Sequence, residues 1–175
     1  MDKRGRLLIV DDETDIREIL RESLSDHVDL IFDAGNGEEA LEKLKTVSVH
    51  AILSDINMPK MNGLEFLRNL RKMGKSTPFI VLTGFGDKQM AIEALRLGAF
   101  DFLEKPWKET DIIDVVDRAV ELGKNIEHFG DEEAKEVGLD TVREETAAHS
   151  IKRLERAIGG AKTSVTAKKK KSGGI

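Results

Sequence analysis

The stretch Leu53-Ser54-Asp55-Ile56-Asn57-Met58-Pro59 continues an apolar run begun by Ala51-Ile52. The run reads as a strand from the middle of a sheet, yet it stops at an aspartate, followed by an asparagine and a proline. Such an acid either caps the next turn or is a group the fold exists to present. Working outward, similar short runs occur at residues 7–10, 30–32, 79–83 and 102–103. Segments of helical spacing separate them. Ile16, Ile19, Leu20 and Leu24 share one helix face, as do Leu64, Leu67 and Leu70. Ala40, Leu41 and Leu44 mark another helix, Met90, Ala91, Ala94 and Leu95 a fourth, and Ile112, Val115, Val116, Ala119 and Val120 a fifth. Asn36 and Asn62 stand where helices start, and Gly98 and Gly123 where they stop.

Five strand–helix pairs imply right-handed crossovers and a mostly parallel sheet with helices on both faces. Continuously apolar strands agree, because strands buried on both faces lose polar alternation. The expected architecture is α/β: a doubly wound five-stranded parallel sheet in the flavodoxin-like order 2-1-3-4-5, with a C-terminal helical extension. Such sheets bind ligands beyond the carboxyl ends of their strands, where the strand order reverses. The strand ends are therefore the place to look for chemistry.

The first strand ends in Asp11-Asp12, the third in Asp55, the fourth in Thr83-Gly84, and the fifth leads into Lys105-Pro106. Singly, each has a plain reading. Asp11 or Asp12 would cap the first helix, Thr83 is an ordinary strand threonine, Lys105 is a surface charge, and Pro106 starts the last helix. Together they gather carboxylates, a lysine and a hydroxyl in one pocket. Carboxylates so close need a cation, and an oxygen-rich, sulfur-free set suits Mg²⁺. Phosphoryl transfer onto a carboxylate needs this combination: a nucleophile, a metal on the phosphate oxygens, and donors for the remaining ones.

The elements Ile9-Val10-Asp11-Asp12-Glu13, Gly37-Glu38-Glu39-Ala40-Leu41, Asp55-Ile56-Asn57-Met58-Pro59-Lys60-Met61-Asn62-Gly63-Leu64, Leu82-Thr83-Gly84 and Gly98-Ala99-Phe100-Asp101-Phe102-Leu103-Glu104-Lys105-Pro106 stand in register. In these the chain resembles the receiver domain of two-component response regulators. The resemblance implies Asp55 as phosphoacceptor and Asp12 as a direct Mg²⁺ ligand. It implies Asp11 binding through water and Asn57 binding through its backbone carbonyl. Thr83 and Lys105 become the phosphate-sensing pair, Phe102 the switch aromatic, and Pro106 the residue after a cis peptide bond. Such a protein is a signalling switch rather than an enzyme, although it assists its own phosphorylation and dephosphorylation. Its partner is a histidine kinase or phosphotransfer protein, and phosphorylation alters the surface of the fourth strand, fourth helix and fifth strand. A homodimer through the fourth helix, fifth strand and fifth helix is a further expectation. Phe102 also has a plainer reading as core. It lacks the hydroxyl through which a tyrosine there would touch a partner.

Composition bounds the alternatives. The chain has 175 residues, no cysteine and a formal net charge of −5. Disulfides and thiolate metal sites are excluded, and a general nucleic-acid binder is disfavoured. The run at residues 7–10 is too short for a signal-peptide core or a membrane span, so a soluble, cytoplasmic protein is expected. The expected organisation is a receiver at 5–123, a helical extension at 124–162 and a disordered Lys-rich tail at 163–175. Gly130, Gly138, Gly159 and Gly160 punctuate the extension. Val142, Ala147, Ile151, Leu154 and Ile158 form a thin stripe over residues 140–158 that needs the receiver, a second copy or another protein to bury it.

The main alternative function is a transcription regulator binding DNA through this extension, aided by Lys168 to Lys171, but no recognition-helix spacing follows Gly159-Gly160. The segment around His149 faintly resembles a phosphotransfer motif, with Arg153 where that family has glycine. A phosphohydrolase would want a second aspartate where Asn57 stands. A nucleotide-binding module would want a glycine-rich turn where Asp11-Asp12-Glu13 stands.

Overall fold

The computed structural model describes residues 5–136 and 139–169, with side chains described over 5–130 and 144–159. Its elements in chain order are β1 (Arg6–Val10), α1 (Thr14–Leu24), β2 (Leu30–Ala34), α2 (Gly37–Lys43), β3 (Ala51–Asp55) and α3 (Gly63–Lys72). They continue with β4 (Phe79–Thr83), α4 (Lys88–Arg96), β5 (Asp101–Glu104), α5 (Glu109–Glu136) and α6 (Leu139–Lys169). The strands form one five-stranded sheet in the order β2-β1-β3-β4-β5, and all its pairings are parallel. That is the expected doubly wound order.

Alternate strand residues feed two cores. Leu7, Ile9, Leu53, Ile80 and Leu82 meet Leu20 and Leu24 of α1 and Ile112, Val116 and Ala119 of α5. Leu8, Val10, Ile52, Phe79 and Val81 meet Ala40 of α2, Phe66, Leu67 and Leu70 of α3, and Ala91, Ala94 and Leu95 of α4. Burial on both faces is why β1, β3 and β4 carry hydrophobic side chains without alternation. Among the described residues no helix is long and apolar enough to cross a membrane.

Local chemistry fixes several boundaries. The Asn36 side chain accepts a hydrogen bond from the Glu39 N–H at 3.0 Å. Asn62 accepts from Glu65 N–H at 2.9 Å while the Glu65 carboxylate accepts from Asn62 N–H at 3.2 Å, a reciprocal capping box. Replacing Asn62 by alanine removes the acceptor of the Glu65 N–H and breaks the reciprocal pair. It is expected to cost about 1 kcal/mol, or roughly 2–4 °C in Tm for a chain of this size, read by thermal denaturation. Gly98 follows α4 with φ 91° and ends it as expected.

Neither Asp11 nor Asp12 caps α1: the N-cap position is Glu13, without a side-chain capping bond. The Asp11 carboxylate instead accepts from Glu13 N–H at 2.9 Å, a turn within the loop that leaves its other oxygen for the pocket.

Gly123 also departs from expectation, because α5 runs through it. The first non-helical residue in α5 is Gly130, with φ 74° and ψ 165°. Gly123 lets α5 pass against the backbone that leads into β3, since a Cβ there would lie 1.8 Å from the His50 carbonyl oxygen. The next turn ties α5 to β1. Glu127 accepts from Arg6 Nη2 at 2.6 Å and pairs with His50 Nε2 at 2.7 Å, while His50 Nδ1 accepts from Arg6 N–H at 3.0 Å. The His50 hydrogen bond, opposed by slight burial and aided by Arg6, holds the Glu127 carboxyl below its usual range. Helix α5 therefore continues past residue 123.

Past it, α6 is a single helix that continues through Gly159 and Gly160 to Lys169. The tail expected to be disordered from 163 thus has helical backbone as far as Lys169, and residues 170–175 lie outside the described ones. Each glycine weakens a helix by about 1 kcal/mol relative to alanine, a cost that a helix anchored upstream carries. The anchor is the α/β domain itself. Ala147 and Leu154 are buried in the same core as α4, with Ile151 and Ile158 packed against it. The α4–β5–α5 face expected to serve a homodimer is covered by the chain's own α6.

Candidate functional site

Strand register builds the pocket. Val10 of β1 lies beside Ser54 of β3, so the next residues, Asp11 just past β1 and Asp55 at the end of β3, come side by side. Asp55 pairs with Leu82, placing Thr83 one step beyond, and Thr83 pairs with Glu104, placing Lys105 one step beyond that. Four neighbouring strands therefore deliver their last polar residues to one end of the sheet.

Asp11 is fully buried, Asp55 is buried and Asp12 is exposed. One oxygen from each of the three carboxylates falls within 4.8 Å of the others, close enough to hold a single cation. Lys105 Nζ donates to Asp11 Oδ2 at 3.1 Å and to Asp55 Oδ2 at 3.2 Å. Asp55 Oδ1 accepts weakly from Asn57 N–H at 3.3 Å. Thr83 is fully buried and donates to the Gly84 carbonyl at 3.3 Å. The Lys105–Pro106 peptide is cis, as the resemblance implies.

Burial pushes the Asp55 carboxyl above its usual range; Lys105 pulls it back and the Asp11 carboxylate pushes it up again, so the balance stays raised. Burial alone would lower the Lys105 ammonium, but Asp55 and then Asp11 hold it above its ordinary value. The lysine thus carries a fixed positive charge, while the carboxylates remain short of counter-charge. All-oxygen donors, two of them buried carboxylates beside an exposed one, fit a hard divalent ion such as Mg²⁺. Asp11, Asp12 and Asp55 would hold it. Adding Mg²⁺ at about 100 times its Kd should raise stability by about 2.7 kcal/mol. The check is a melt in Mg²⁺ against one in chelator; an equal Tm in both would remove the metal site.

Two supporting residues, Arg17 and Gly63, also shape the site. Arg17 Nη1 donates to the Asp11 carbonyl at 2.7 Å and its Nε to Asp33 at 3.2 Å, bracing the loop that holds Asp11. On sequence it is one more helix-surface arginine. Gly63 lets α3 start against the end of β3, since a Cβ would stand 2.3 Å from the Asp55 carbonyl oxygen. Its N–H donates to the Ile56 carbonyl at 2.9 Å. A glycine at the first position of a helix was the available hint.

The family model "Response regulator receiver domain" matches residues 7–117. The chain belongs to that family. The receiver of this chain is 40% identical over 113 residues to the transcriptional regulatory protein FixJ of Rhizobium meliloti, a match covering 65% of this chain and 55% of FixJ. It is 32% identical over 114 residues to the chemotaxis protein CheY of Thermotoga maritima, covering 65% of this chain and 95% of CheY. The chain spans 28% of the length of the regulatory protein AtoC of Escherichia coli K12, to which it is 36% identical over 128 residues. Among solved structures, a response regulator receiver domain protein from Clostridium thermocellum superposes with a TM-score of 0.65 at 29% identity. That match covers 70% of this chain and 98% of the other.

Proposed function

We propose that this receiver takes a phosphoryl group on Asp55 from a phosphohistidine of a histidine kinase or phosphotransfer protein. An Asp55 carboxylate oxygen forms the new bond to phosphorus. The bond from phosphorus to the donor's imidazole nitrogen breaks, and its electron pair returns to that nitrogen. The observation that carries this reading is the Lys105 ammonium bridging Asp11 and Asp55 at 3.1 and 3.2 Å, in a cluster able to hold a cation. A bound Mg²⁺ supplies charge neutralisation on the transferring phosphate oxygens. Asp11, Asp12 and Asp55 would hold it, with the Asn57 carbonyl as a further ligand, and the Lys105 ammonium would bind a phosphate oxygen.

Phosphorylation adds about one unit of negative charge to a group that is already anionic. Reach changes more than charge, because the new oxygens extend toward Lys105 and Thr83. Thr83 exchanges its long bond to the Gly84 carbonyl for one to phosphate. Phe102 is buried and pairs with Val81, two residues before Thr83. This couples the site to β5 and α4, a local event biasing a two-state element. Output then runs through protein–protein contact. Among the described residues the extension comprises the end of α5 and the single helix α6, whose apolar face is buried on the receiver and which is followed by no second helix as far as Lys169. His149 stands exposed on that helix, outside any bundle that a phosphotransfer histidine requires.

The test is intact mass after incubation with Mg²⁺ and a small phosphodonor such as acetyl phosphate. One phosphate should be added in Mg²⁺ and none in chelator. An unmodified mass with several donors would sink the proposal.

A further inference from the structure

The part of the chain that the receiver reading leaves idle is α6, and its seat is specific. Ala147, Ile151, Leu154 and Ile158 share one helix face, and that face packs into the core containing Ala91, Ile92, Leu95, Ala99 and Phe102. At the centre of the seat lies Asp101, 5% exposed, the first residue of β5. Its Oδ1 accepts from the Ser150 hydroxyl at 2.7 Å and from Phe102 N–H at 2.8 Å. Arg118 of α5 reaches its Oδ2 at 3.3 Å, and Arg153 of α6 lies 3.5 Å from Oδ1. Ser150 is itself 2% exposed, a hydroxyl with no water to turn to. The Arg153 guanidinium stands over the Phe102 ring, 4.8 Å from its centroid. Arg96 of α4 and Glu155 close the edge at 3.2 Å.

Two of the three elements under α6, β5 and α4, are ones that the phosphorylation site addresses. β5 carries Phe102 and leads into Lys105; α4 follows Thr83 through a short loop. The contacts above are made with Lys105 spanning the two aspartates and Thr83 bonded to Gly84, the arrangement of an unmodified Asp55. A buried carboxylate tolerates no partial loss of partners, because an uncompensated charge out of water is costly. A shift of Phe102 or β5 that spoils the Asp101–Ser150 bond is relieved by hydrating Asp101, which requires α6 to leave. The cation–π contact with Arg153 goes at the same step.

We propose that α6 is an intramolecular cover on the α4–β5–α5 face, docked while Asp55 is unmodified and released when Asp55 is phosphorylated. The inference rests on the Asp55 reading above and adds what that event controls. Until release, α6 itself occupies the face and excludes a second copy or an output partner from it. Coupling is reciprocal: phosphoryl binding that loosens α6 implies that loosening α6 strengthens phosphoryl binding by the same factor.

The experiment is hydrogen exchange of residues 144–159 in the full chain, with and without Mg²⁺ plus beryllofluoride, an acyl-phosphate mimic. Fluorine NMR reads occupancy. Exchange of this segment should quicken by about 5–150-fold on saturation, the span of ordinary coupling. Asp55→Asn should show no response. Ser150→Asp sets a second carboxylate against Asp101, and Arg153→Ala removes the guanidinium from Phe102. Both should quicken exchange without beryllofluoride and bind it several-fold more tightly. Full occupancy with α6 protection unchanged or increased overturns the proposal. So do variants that free α6 without altering beryllofluoride affinity. Absence of bound beryllofluoride on the wild type overturns the Asp55 reading and the coupling together, and the fluorine signal tells that failure from the others.

Discussion

The Asp55→Asn variant is expected to take up no phosphoryl group and, in metal-free buffer at neutral pH, to melt higher than the wild type. The first effect is a loss of the nucleophile: a carboxamide oxygen cannot form the acyl phosphate, so the gain in intact mass should vanish entirely. The second follows from the electrostatics. Burial raises the Asp55 carboxyl above its ordinary value, and the neighbouring Asp11 adds to the push against Lys105. A raised folded-state value means that the folded chain holds this proton where the unfolded chain has already lost it. Stability contributed by the site therefore falls as pH rises from the unfolded pKa, about 3.9, through the folded one. Above both, the ionised carboxylate is a standing cost.

An amide of the same shape removes that cost, and Lys105 keeps Asp11 at 3.1 Å. A rise of about 2–4 °C in Tm is expected, the shift produced by about 1 kcal/mol in a domain of this size. Mg²⁺ should stabilise the variant less than the wild type, because one of three carboxylates is gone. Phosphate uptake by the variant would refute the assignment of Asp55. A lower Tm at neutral pH would refute the electrostatic account alone.

Replacing Gly123 by alanine is expected to be the most damaging single-methyl change in the receiver. The added carbon would stand 1.8 Å from the oxygen, 2.5 Å from the carbon and 2.8 Å from the Cα of His50. All three are backbone atoms, so no side-chain rotation relieves the overlap. His50 cannot retreat, since its N–H donates to the Arg6 carbonyl at 2.9 Å and its ring to the Glu127 carboxylate. The helix must move outward instead, lifting Ala119, Val120 and Leu122 from the core they share with β1 and β3. Overpacking of this kind against fixed backbone costs about 3 kcal/mol or more, out of a total of about 5–15. Tm should drop by roughly 6–12 °C. Gly159→Ala is the control: nothing lies within 4 Å of a Cβ there, so helix propensity alone acts and Tm should hold or rise. A Gly123→Ala protein melting within a degree of the wild type would refute this close approach of α5 to His50.

These two sites mark the boundary of what was legible beforehand. Asp55, Asp11, Thr83 and Lys105 could be read as a cluster because parallel strands end on one side, and because each apolar run stops at a polar residue where the sheet stops. Asn36 and Asn62 were legible for a local reason, as caps act on N–H groups three residues away. Gly123 was misread as a helix stop because a glycine needed for close approach looks the same in sequence as one needed for a left-handed turn. The neighbour that distinguishes them, His50, belongs to a distant segment. Asp101 was hidden similarly. Its partners Ser150, Arg118 and Arg153 come from two helices whose positions no local pattern encodes.

By itself the sequence determined the parallel βα order, the strand ends and the acidic pocket with its lysine, since hydrophobic period and topology rules act locally and then propagate. It also determined that residues 140–158 carry an apolar stripe. What covers that stripe, where α5 ends, and which polar groups are buried together were decided by tertiary packing alone. Contacts such as Leu154 in the α4 core or Gly123 against His50 depend on surfaces that do not exist until the sheet has formed.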